Sequence, residues 1–225
     1  MPVAQRRALA RKGSQDGKAT DRKNDMMKRL RNCLIPILAA CLLSACSLID
    51  TRPPATLYDL GPLRVEEMGQ LPSGMPNITT KVYVPDWMDD SLMVYRLDYV
   101  NSQQVRFYTE SSWASAPSKL FRSRMDSYLM AIGNRSASVL ESEALSLKIV
   151  FEDFSQHFTD EHTCLGRIAI RASLYKGQEL LAQQRFISEE PADSADAAGG
   201  TKALSKASDA IIANIMNWVA IKGGR

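Results

Sequence analysis

Three long segments in the second half of the chain alternate apolar and polar side chains, and this alternation constrains the fold more than any other feature. They cover residues 144–158, 166–176 and 178–190, and a tight turn at Lys176-Gly177 joins the last two. The two faces of the middle segment carry Ile168, Ile170, Ala172 and Leu174 on one side and Arg167, Ala169, Arg171 and Ser173 on the other. A period of two is that of a β-strand with one buried face. We therefore predict three antiparallel strands whose polar face meets water or a partner.

Shorter strand-like segments precede these three along the chain. The candidates are residues 56–60, 78–84, 91–98, 104–109 and 137–140. The third and fourth predict a hairpin that turns at Asn101, and Pro85 ends the second. Together these segments predict the first half of the same sheet.

Two further segments have the spacing of an amphipathic helix. In residues 117–132 one face carries Phe121, Met125, Tyr128, Leu129 and Ile132. In residues 202–221 one stripe carries Leu204, Ala207, Ile211, Ile215 and Trp218. Pro117 suits a first helical turn, and Gly133 suits the cap that follows a last turn. Residues 191–201, which are small, acidic and glycine-bearing, predict a mobile loop before the second helix.

These elements define a fold class because each amphipathic helix must bury its apolar face against another layer. A mainly antiparallel sheet with two such helices predicts an α+β fold. We expect a two-layer single domain in which both helices pack on one face of the sheet. We place this domain at residues 57–222.

The amino terminus has the layout of a secretory signal. Residues 1–25 are polar and basic, and we interpret them either as a disordered extension or as an untranslated stretch before a start at Met26 or Met27. Residues 26–45 combine a basic beginning with an eleven-residue apolar stretch, which predicts a signal peptide. The other interpretation is a transmembrane anchor, which needs about 20 apolar residues. This stretch is shorter and contains Pro36.

The end of this signal resembles the lipobox of bacterial lipoproteins. Leu43, Ser44 and Ala45 stand before Cys46, as the signal-peptidase motif of that pattern requires. The resemblance implies a diacylglycerol on the Cys46 sulfur and, after cleavage, a further acyl chain on its amine; no other cofactor is expected. Several acyl chains together hold a protein firmly at a bilayer. Ser47 follows the cysteine instead of Asp, which under Gram-negative sorting rules implies the periplasmic face of the outer membrane.

The mature chain that begins at Cys46 differs in charge from the whole sequence. It keeps 18 basic and 22 acidic residues, a net charge of −4, so the charge gives no support to a nucleic-acid partner. Residues 46–56 contain two prolines and predict an extended lipidated tether. Only Cys164 remains as a free thiol, so no internal disulfide is possible. We expect Cys164 to be a small buried residue rather than a reactive one.

The sequence contains no common catalytic signature. It lacks the GxSxG, HExxH and CxxC motifs and a glycine-rich phosphate loop. One stretch of twelve residues nevertheless combines both histidines with three acids and a thiol: Asp153, His157, Asp160, Glu161, His162 and Cys164. This cluster is either a metal site or the solvated tip of a hairpin, and its spacing matches no standard ligand pattern. We favour the hairpin tip and predict neither a catalytic residue nor a metal ligand.

Two tryptophans are also open to two interpretations each. Trp87 stands beside three acids in a turn-like stretch, where it either anchors a partner or covers the edge of the core. Trp113 precedes the first predicted helix and either packs against it as a staple or contacts a ligand. We favour packing in both cases.

Several short motifs follow one another across residues 46–221. They are Tyr58, Leu60 and Pro62 in a Tyr-x-Leu-x-Pro pattern, Pro85 after a strand, Trp113 and Pro117 before a helix, and Phe186 and Trp218 near the end. In order and spacing they resemble the ABC-type transport auxiliary lipoproteins, the family that includes paraquat-inducible protein C. The gap between Trp113 and Pro117 is one residue longer than in that family. Residues 89–94 stand where many relatives have Arg-Pro-Gln.

This resemblance implies a non-catalytic auxiliary component of a lipid transport system built around mammalian-cell-entry (MCE) proteins. The implied partners are an MCE-domain protein and an ABC permease/ATPase complex, which the lipoprotein docks to the outer membrane through its lipid anchor. A homo-oligomer is also implied. Exposed strand edges and the polar face of the sheet are the candidate docking surfaces.

Two other functions stay open on the sequence alone. A membrane-anchored periplasmic hydrolase or metalloenzyme would use the cluster between His157 and Cys164. An outer-membrane assembly lipoprotein of another pathway would share the anchor but have other partners.

Overall fold

The computed structural model describes residues 54–64, 76–133 and 145–223. These residues form seven strands and three helices. In chain order the elements are β1 (Thr56–Tyr58), β2 (Ile78–Tyr83), β3 (Leu92–Leu97), α1 (Asp98–Asn101), β4 (Arg106–Trp113), α2 (Pro117–Ala131), β5 (Leu145–Phe158), β6 (Cys164–Lys176), β7 (Glu179–Pro191) and α3 (Ala197–Gly223). A short 3-10 turn, Asp86–Met88, lies between β2 and β3.

The strands form one mixed sheet in the order β1-β4-β3-β5-β6-β7, and β2 pairs with β5 as well. The long pairs, β5 with β6 and β6 with β7, are antiparallel, and so is the hairpin of β3 and β4. The shorter pairs of β1 with β4, β2 with β5 and β3 with β5 are parallel. The predicted α+β class with a mainly antiparallel sheet is confirmed, and the parallel pairs are an addition that the alternation did not indicate.

The length of β5 explains two of the parallel pairs. The first six of its 14 residues pair with β2, and residues 156–158 pair with the end of β3. The turn at Asp86–Met88 carries the chain from one short strand to the next. Two parallel strands therefore lie one after the other along the same edge of β5.

Both long helices pack on the face of the sheet that the alternation marked as apolar. The inward side chains of β6 are fully buried: Ile168, Ile170, Ala172 and Leu174. On α2, Phe121 meets Phe151 of β5 edge to face, with ring centroids 5.0 Å apart. On α3, Ile211 and Ile215 are buried in the same core. Burying one such side chain contributes about 1.5–3 kcal/mol, so this interface holds the two layers together.

The helix α3 begins earlier than predicted. Residues 197–201 are helical, so the prediction of a loop through residue 201 is wrong for these five. The carboxylate of Asp196 accepts a hydrogen bond from the Gly199 N–H at 2.8 Å, which is the geometry of an N-terminal cap. A side chain at Gly200 would collide with Gln156 of β5. The glycines that suggested a loop thus let the first turn of the helix lie directly on the sheet.

The two tryptophans differ in environment. Trp113 is buried, and its ring meets Phe154 of β5 at 5.6 Å, so it packs into the core on the sheet. Trp87 is 45% exposed, whereas its neighbour Met88 is buried. The prediction that Trp87 covers the edge of the core is therefore wrong, because the 3-10 turn directs Met88 into the core instead.

Some predictions fall outside the described residues. The lipobox at positions 43–46, the signal peptide and the short strand near residues 137–140 all do so. In the ranges that are described, no helix has both the length and the apolar character needed to cross a bilayer.

At Gly166 the backbone of α3 lies directly against the sheet, and this contact generates a stability prediction. A Cβ at this position would lie 2.6 Å from the backbone nitrogen of Leu204, so α3 would have to move. We expect Gly166→Ala to lower the free energy of unfolding by about 1–3 kcal/mol, the usual cost of overpacking. Urea denaturation followed by circular dichroism measures this.

The control for this prediction is Gly177→Asn. Gly177 has φ +59° in the β6–β7 turn with open space around it, and Asn tolerates that conformation. Its unfolding free energy should stay within about 0.5 kcal/mol of the unsubstituted protein. An equal effect of both substitutions would contradict a tight contact between α3 and β6.

Candidate functional site

The Tyr-x-Leu-x-Pro motif forms the point where the chain from the amino terminus joins the domain. The N–H of Ala114 donates to the Tyr58 carbonyl at 2.7 Å, which continues the pairing of β1 with β4. Gly61 then turns the chain with φ +67°, and its N–H donates to the Asp59 carboxylate at 2.7 Å. Leu60 between them is buried. We call residues 58–62, with the side chains that hold them, the tether junction.

A buried arginine of α2 holds the tether junction. The Arg124 side chain is 5% exposed, and one of its terminal nitrogens donates to the carbonyls of Leu60 at 2.8 Å and Gly61 at 2.9 Å. Its other two nitrogens donate to the two carboxylate oxygens of Asp209 on α3, at 2.5 and 2.6 Å. Such a bidentate charged pair is among the stronger and more directional contacts in proteins. One cation therefore connects α2, α3 and the incoming chain.

A cavity of about 570 Å³ opens beside the junction. Tyr58, Leu60 and Pro62, three of the family-motif positions, line it together with the exposed Lys202 and Lys206 of α3. The charged groups that hold the junction form one wall. The predicted motif residues are thus brought together with groups from both long helices.

The remaining family-motif positions begin or end elements elsewhere. Pro85 has an extended backbone, and its carbonyl accepts the Met88 N–H at 2.9 Å, which starts the 3-10 turn. Pro117 is at the first turn of α2, as predicted. The sequence analysis missed Arg124 and Asp209. The available signal was an arginine on the same helical face as Phe121 and Tyr128, because a charge at a buried helix position needs a partner.

A second polar group lies on the opposite face of the sheet, around His157 of β5. Its Nδ1 is 2.8 Å from the Asp98 carboxylate at the start of α1. Its Nε2 is 3.0 Å from the Asp153 carboxylate and 3.0 Å from the Ser155 hydroxyl. The His157 side chain is only 12% exposed. These contacts tie α1 to the central strand.

This arrangement contains a serine, a histidine and an aspartate in the connectivity of a hydrolase triad, but its geometry does not suit nucleophilic catalysis. Ser155 is 0% exposed, and its hydroxyl donates to Asp153 at 2.6 Å instead of to the histidine. A catalytic serine must be reached by substrate and must give its proton to the histidine. A carboxylate lies at each ring nitrogen, and this favours the protonated form of His157 over the neutral form that a general base needs.

The pKa of His157 reflects these neighbours. Burial by itself lowers this pKa, but the hydrogen bonds to Asp153 and Asp98 and the attraction of both carboxylates outweigh burial and raise the pKa above its ordinary value. For Asp153, burial raises the pKa, and the hydrogen bonds from His157 and Ser155 more than reverse this and lower it. Both shifts favour the charged pair.

The other residues of the cluster between Asp153 and Cys164 lie outside the contacts around His157. Asp160 accepts the backbone N–H groups of His162 and Thr163 at 2.8 Å each, which closes the turn between β5 and β6. Cys164 is buried on the helix side of the sheet, where Gln156 donates to its sulfur at 2.9 Å. Burial raises the pKa of this thiol. Throughout the described ranges, no group of three His, Cys, Asp or Glu side chains is arranged to hold a metal ion.

The fold is shared with two crystal structures. One is of a protein from Xanthomonas campestris, at a TM-score of 0.64 and 17% identity, covering 75% of this chain and 97% of that one. The other is of an uncharacterized protein, at a TM-score of 0.59 and 19% identity, covering 74% of this chain and 99% of that one. At these identities the likeness concerns the fold. No protein of curated function matches the sequence.

Family membership rests on the sequence itself. Residues 75–216 match the family described as the ABC-type transport auxiliary lipoprotein component, which is more than half of the chain. The class of protein is therefore an auxiliary lipoprotein of a transport system. This chain belongs to that ABC-type transport auxiliary lipoprotein family, and the resemblance found in its motifs is confirmed.

The buried guanidinium at the tether junction generates a mutational prediction. Arg124→Ala leaves Asp209 and two backbone carbonyls without their partner. We expect it to lower the free energy of unfolding by about 3–5 kcal/mol, as expected for breaking a buried pair, and to expose residues 54–64 to proteolysis. Urea denaturation and limited proteolysis with peptide mapping measure the two effects.

The matched control is Arg122→Ala on the same helix. Arg122 is exposed and lies 3.8 Å from Asp126, so its loss should change stability by no more than about 0.5 kcal/mol. If Arg124→Ala behaved like Arg122→Ala, the junction would not depend on this arginine.

The raised pKa of His157 generates a prediction about pH. A histidine whose pKa is higher in the folded state than in the unfolded state stabilises the fold. This stabilisation is fully present below the pKa of the unfolded state, about 6.5, and is lost as the pH rises through the pKa of the folded state. The stability difference between the unsubstituted protein and His157→Gln should therefore be largest below about pH 6 and shrink above it. Urea denaturation from pH 5 to 9 measures this, with the exposed His162→Gln as control. A difference that grows with pH would show that the carboxylates do not hold the charged form.

Proposed function

We propose that this protein is the outer-membrane-anchored, non-catalytic auxiliary component of an MCE-type lipid transport system. It docks the periplasm-spanning part of the transporter to the outer membrane, and its proposed partners are an MCE-domain protein and an ABC permease/ATPase complex. The observation that carries this proposal is the family match over residues 75–216. The protein acts by position and contact.

The proposed anchor is Cys46, with a diacylglycerol on its sulfur and an acyl chain on its amine. Residues 46–56 reach at most about 40 Å when fully extended, so the start of the domain stays within that distance of the outer membrane. Arg124 of α2 supports the role because it binds the tether junction, directly after the tether, and also binds Asp209 of α3. A force on the anchor is then transmitted to the core of the domain. Without this contact it would act on β1 alone, which pairs through only three residues.

The proposed docking surfaces are the outer face of the sheet and the exposed Trp87. The outer face of the sheet carries a ladder of ion pairs in which Arg167 contacts Asp153 and Glu189, and Glu152 contacts Arg185 at 2.6 Å. Trp87 is the middle residue of the acidic 3-10 turn Asp86–Met88, and it is 45% exposed. An exposed aromatic side chain of this kind supplies much of the affinity in many interfaces. These features support contact with a protein partner.

The alternative of a membrane-anchored hydrolase is favoured by one observation, the contacts among Ser155, His157 and Asp98. The burial of Ser155 argues against it. The metalloenzyme alternative would need the cluster from Asp153 to Cys164 to converge, whereas its members lie on both faces of the sheet and in the turn. An outer-membrane assembly lipoprotein of another pathway would differ only in its partners.

The test is purification of the native lipidated protein, through a carboxy-terminal tag, from detergent-solubilised envelopes. Mass spectrometry should find an MCE-domain protein and ABC permease and ATPase subunits with it. The same measurement should find a first residue Cys46 that carries the acyl chains, and Cys46→Ala should remove both the acylation and the outer-membrane fraction. A peptide that runs unmodified through position 46 would refute the anchor.

Two variants separate docking from catalysis. The first variant changes His157, His162 and Cys164 to Ala. The second changes the same residues to Gln, Gln and Ser. Either variant should still capture the partners if it keeps the fold. Loss of lipid transport with fold, abundance and partner capture intact would point to catalysis instead. Co-purification with outer-membrane assembly proteins in place of transporter subunits would favour the other pathway.

A further inference from the structure

The strand β7 leaves one long edge of the sheet open. β6 pairs with one side of β7, and none of the strands in the described ranges pairs with its other side. A register shift opposite Leu174 and Tyr175 interrupts the strand near its start, and Pro191 ends it. Between these two points, residues 183–189 are regularly paired with β6. Their outer side chains are exposed, including Ile187 at 43%.

The backbone groups along this edge have a defined direction. The Ala192 N–H donates to the Cys164 carbonyl at 3.0 Å, so even-numbered residues direct their backbone groups toward β6. In an antiparallel ladder the alternate residues direct theirs to the other side. Gln183, Arg185, Ile187 and Glu189 therefore present a regular row of donors and acceptors to the outside.

The other edges of the sheet are better protected. β1 has three residues, and β2 has six and carries the exposed Lys81. Short edges, lysine, proline and bulges are the usual means by which proteins prevent strand addition. Residues 183–189 contain no lysine, no proline and no bulge. This segment is suited to pairing with another strand.

We propose that β7 pairs with β7 of a second copy of this chain, antiparallel and with the two-fold axis at Ile187. In this register Arg185 of each copy lies opposite Glu189 of the other, and the two Ile187 side chains face each other at the centre. Opposite charges in facing positions stabilise a strand pair, and like charges destabilise it. The strand is complementary to itself about this residue.

Neighbouring registers are less favourable. Moving the axis by one residue places either Arg185 or Glu189 opposite Ile187 and loses both charge pairs. Moving it to Arg185 places the two arginines opposite each other. The arrangement at Ile187 is thus selected by charge, and it extends the ion-pair ladder that already joins Arg185 to Glu152 and Arg167 to Glu189.

The two-fold axis has further consequences for the assembly. It runs perpendicular to the sheet, so both α3 helices lie on the same side of one continuous sheet. The groove between β7 and α3, where Phe186 and Trp218 meet at 5.7 Å, opens along this edge, and a second copy covers part of it. A two-fold contact closes at two copies. Each dimer then carries two amino-terminal anchors.

The first test uses the full-length lipidated protein in detergent with Ile187→Cys. Facing residues of a hydrogen-bonded antiparallel pair have Cα atoms about 5.5 Å apart, which suits a disulfide. Mild oxidation should give a cross-linked dimer on a non-reducing gel. Gln183→Cys, on the same strand and face, is the control, because its two copies would lie about 27 Å apart and should not cross-link. The unsubstituted protein, whose Cys164 is buried, should not cross-link either.

The second test measures the association constant by analytical ultracentrifugation. Arg185→Glu and Glu189→Arg each place like charges opposite each other twice and should weaken the dimer by about 3- to 30-fold. The double substitution restores opposite charges across the axis and should restore association, although it does not restore the contacts with Glu152 and Arg167 within each copy. Circular dichroism controls for the fold.

The outcomes decide the proposal. Cross-linking at position 187 together with restored association of the double variant supports the proposal. This holds for a dimer and for a larger oligomer that is built from such dimers. A monomer at all concentrations, equal cross-linking at position 183, or cross-linking of position 187 to a different protein would overturn it. None of these results depends on the identity of the transport partners.

Discussion

The apolar face shared by β5 and β6 is the constraint on which the rest of the structure depends. Two helices bury this face, and because side chains alternate between the two sides of a strand, the residues between the buried ones lie on the opposite face. This explains why the ion pairs of Arg167 and Arg185 and the His157 network all lie on the outer face. Gly166 and Gly200 let α3 approach the strands closely. The separation of an apolar core from a charged outer surface follows from one packing interface.

Two largely buried cationic side chains connect separate elements of the domain. Arg124 joins the incoming chain to both long helices, and His157 joins α1 to β5 through two carboxylates. A charge that is removed from water must be paired, and both groups satisfy this requirement within the domain. Ser155 is closed to substrate. These features agree with an auxiliary lipoprotein whose proposed action is to hold partners at a membrane.

The open edge of β7 gives this domain a second means of acting by contact. The tether junction follows β1, and β1 and β7 stand at opposite ends of the strand order. Two anchors on one dimer would strengthen membrane retention, since linked attachments add their effects through local concentration. The outer face of the joined sheets would present one continuous charged surface to a transport partner.

The sequence by itself determined the strand and helix periods, the apolar faces of β6, α2 and α3, and hence the two-layer α+β class, because burial of one face imposes a local repeat on each segment. It also carried the motif positions by which the family was recognised. The tertiary structure decided the parallel pairing of β2 and β3 with β5, the helical start of α3, the exposure of Trp87 and the partners of Arg124. Arg124 and Asp209 are 85 residues apart, and no local pattern encodes which distant group a charge will meet. Pairings of this kind are selected only when the whole core has formed.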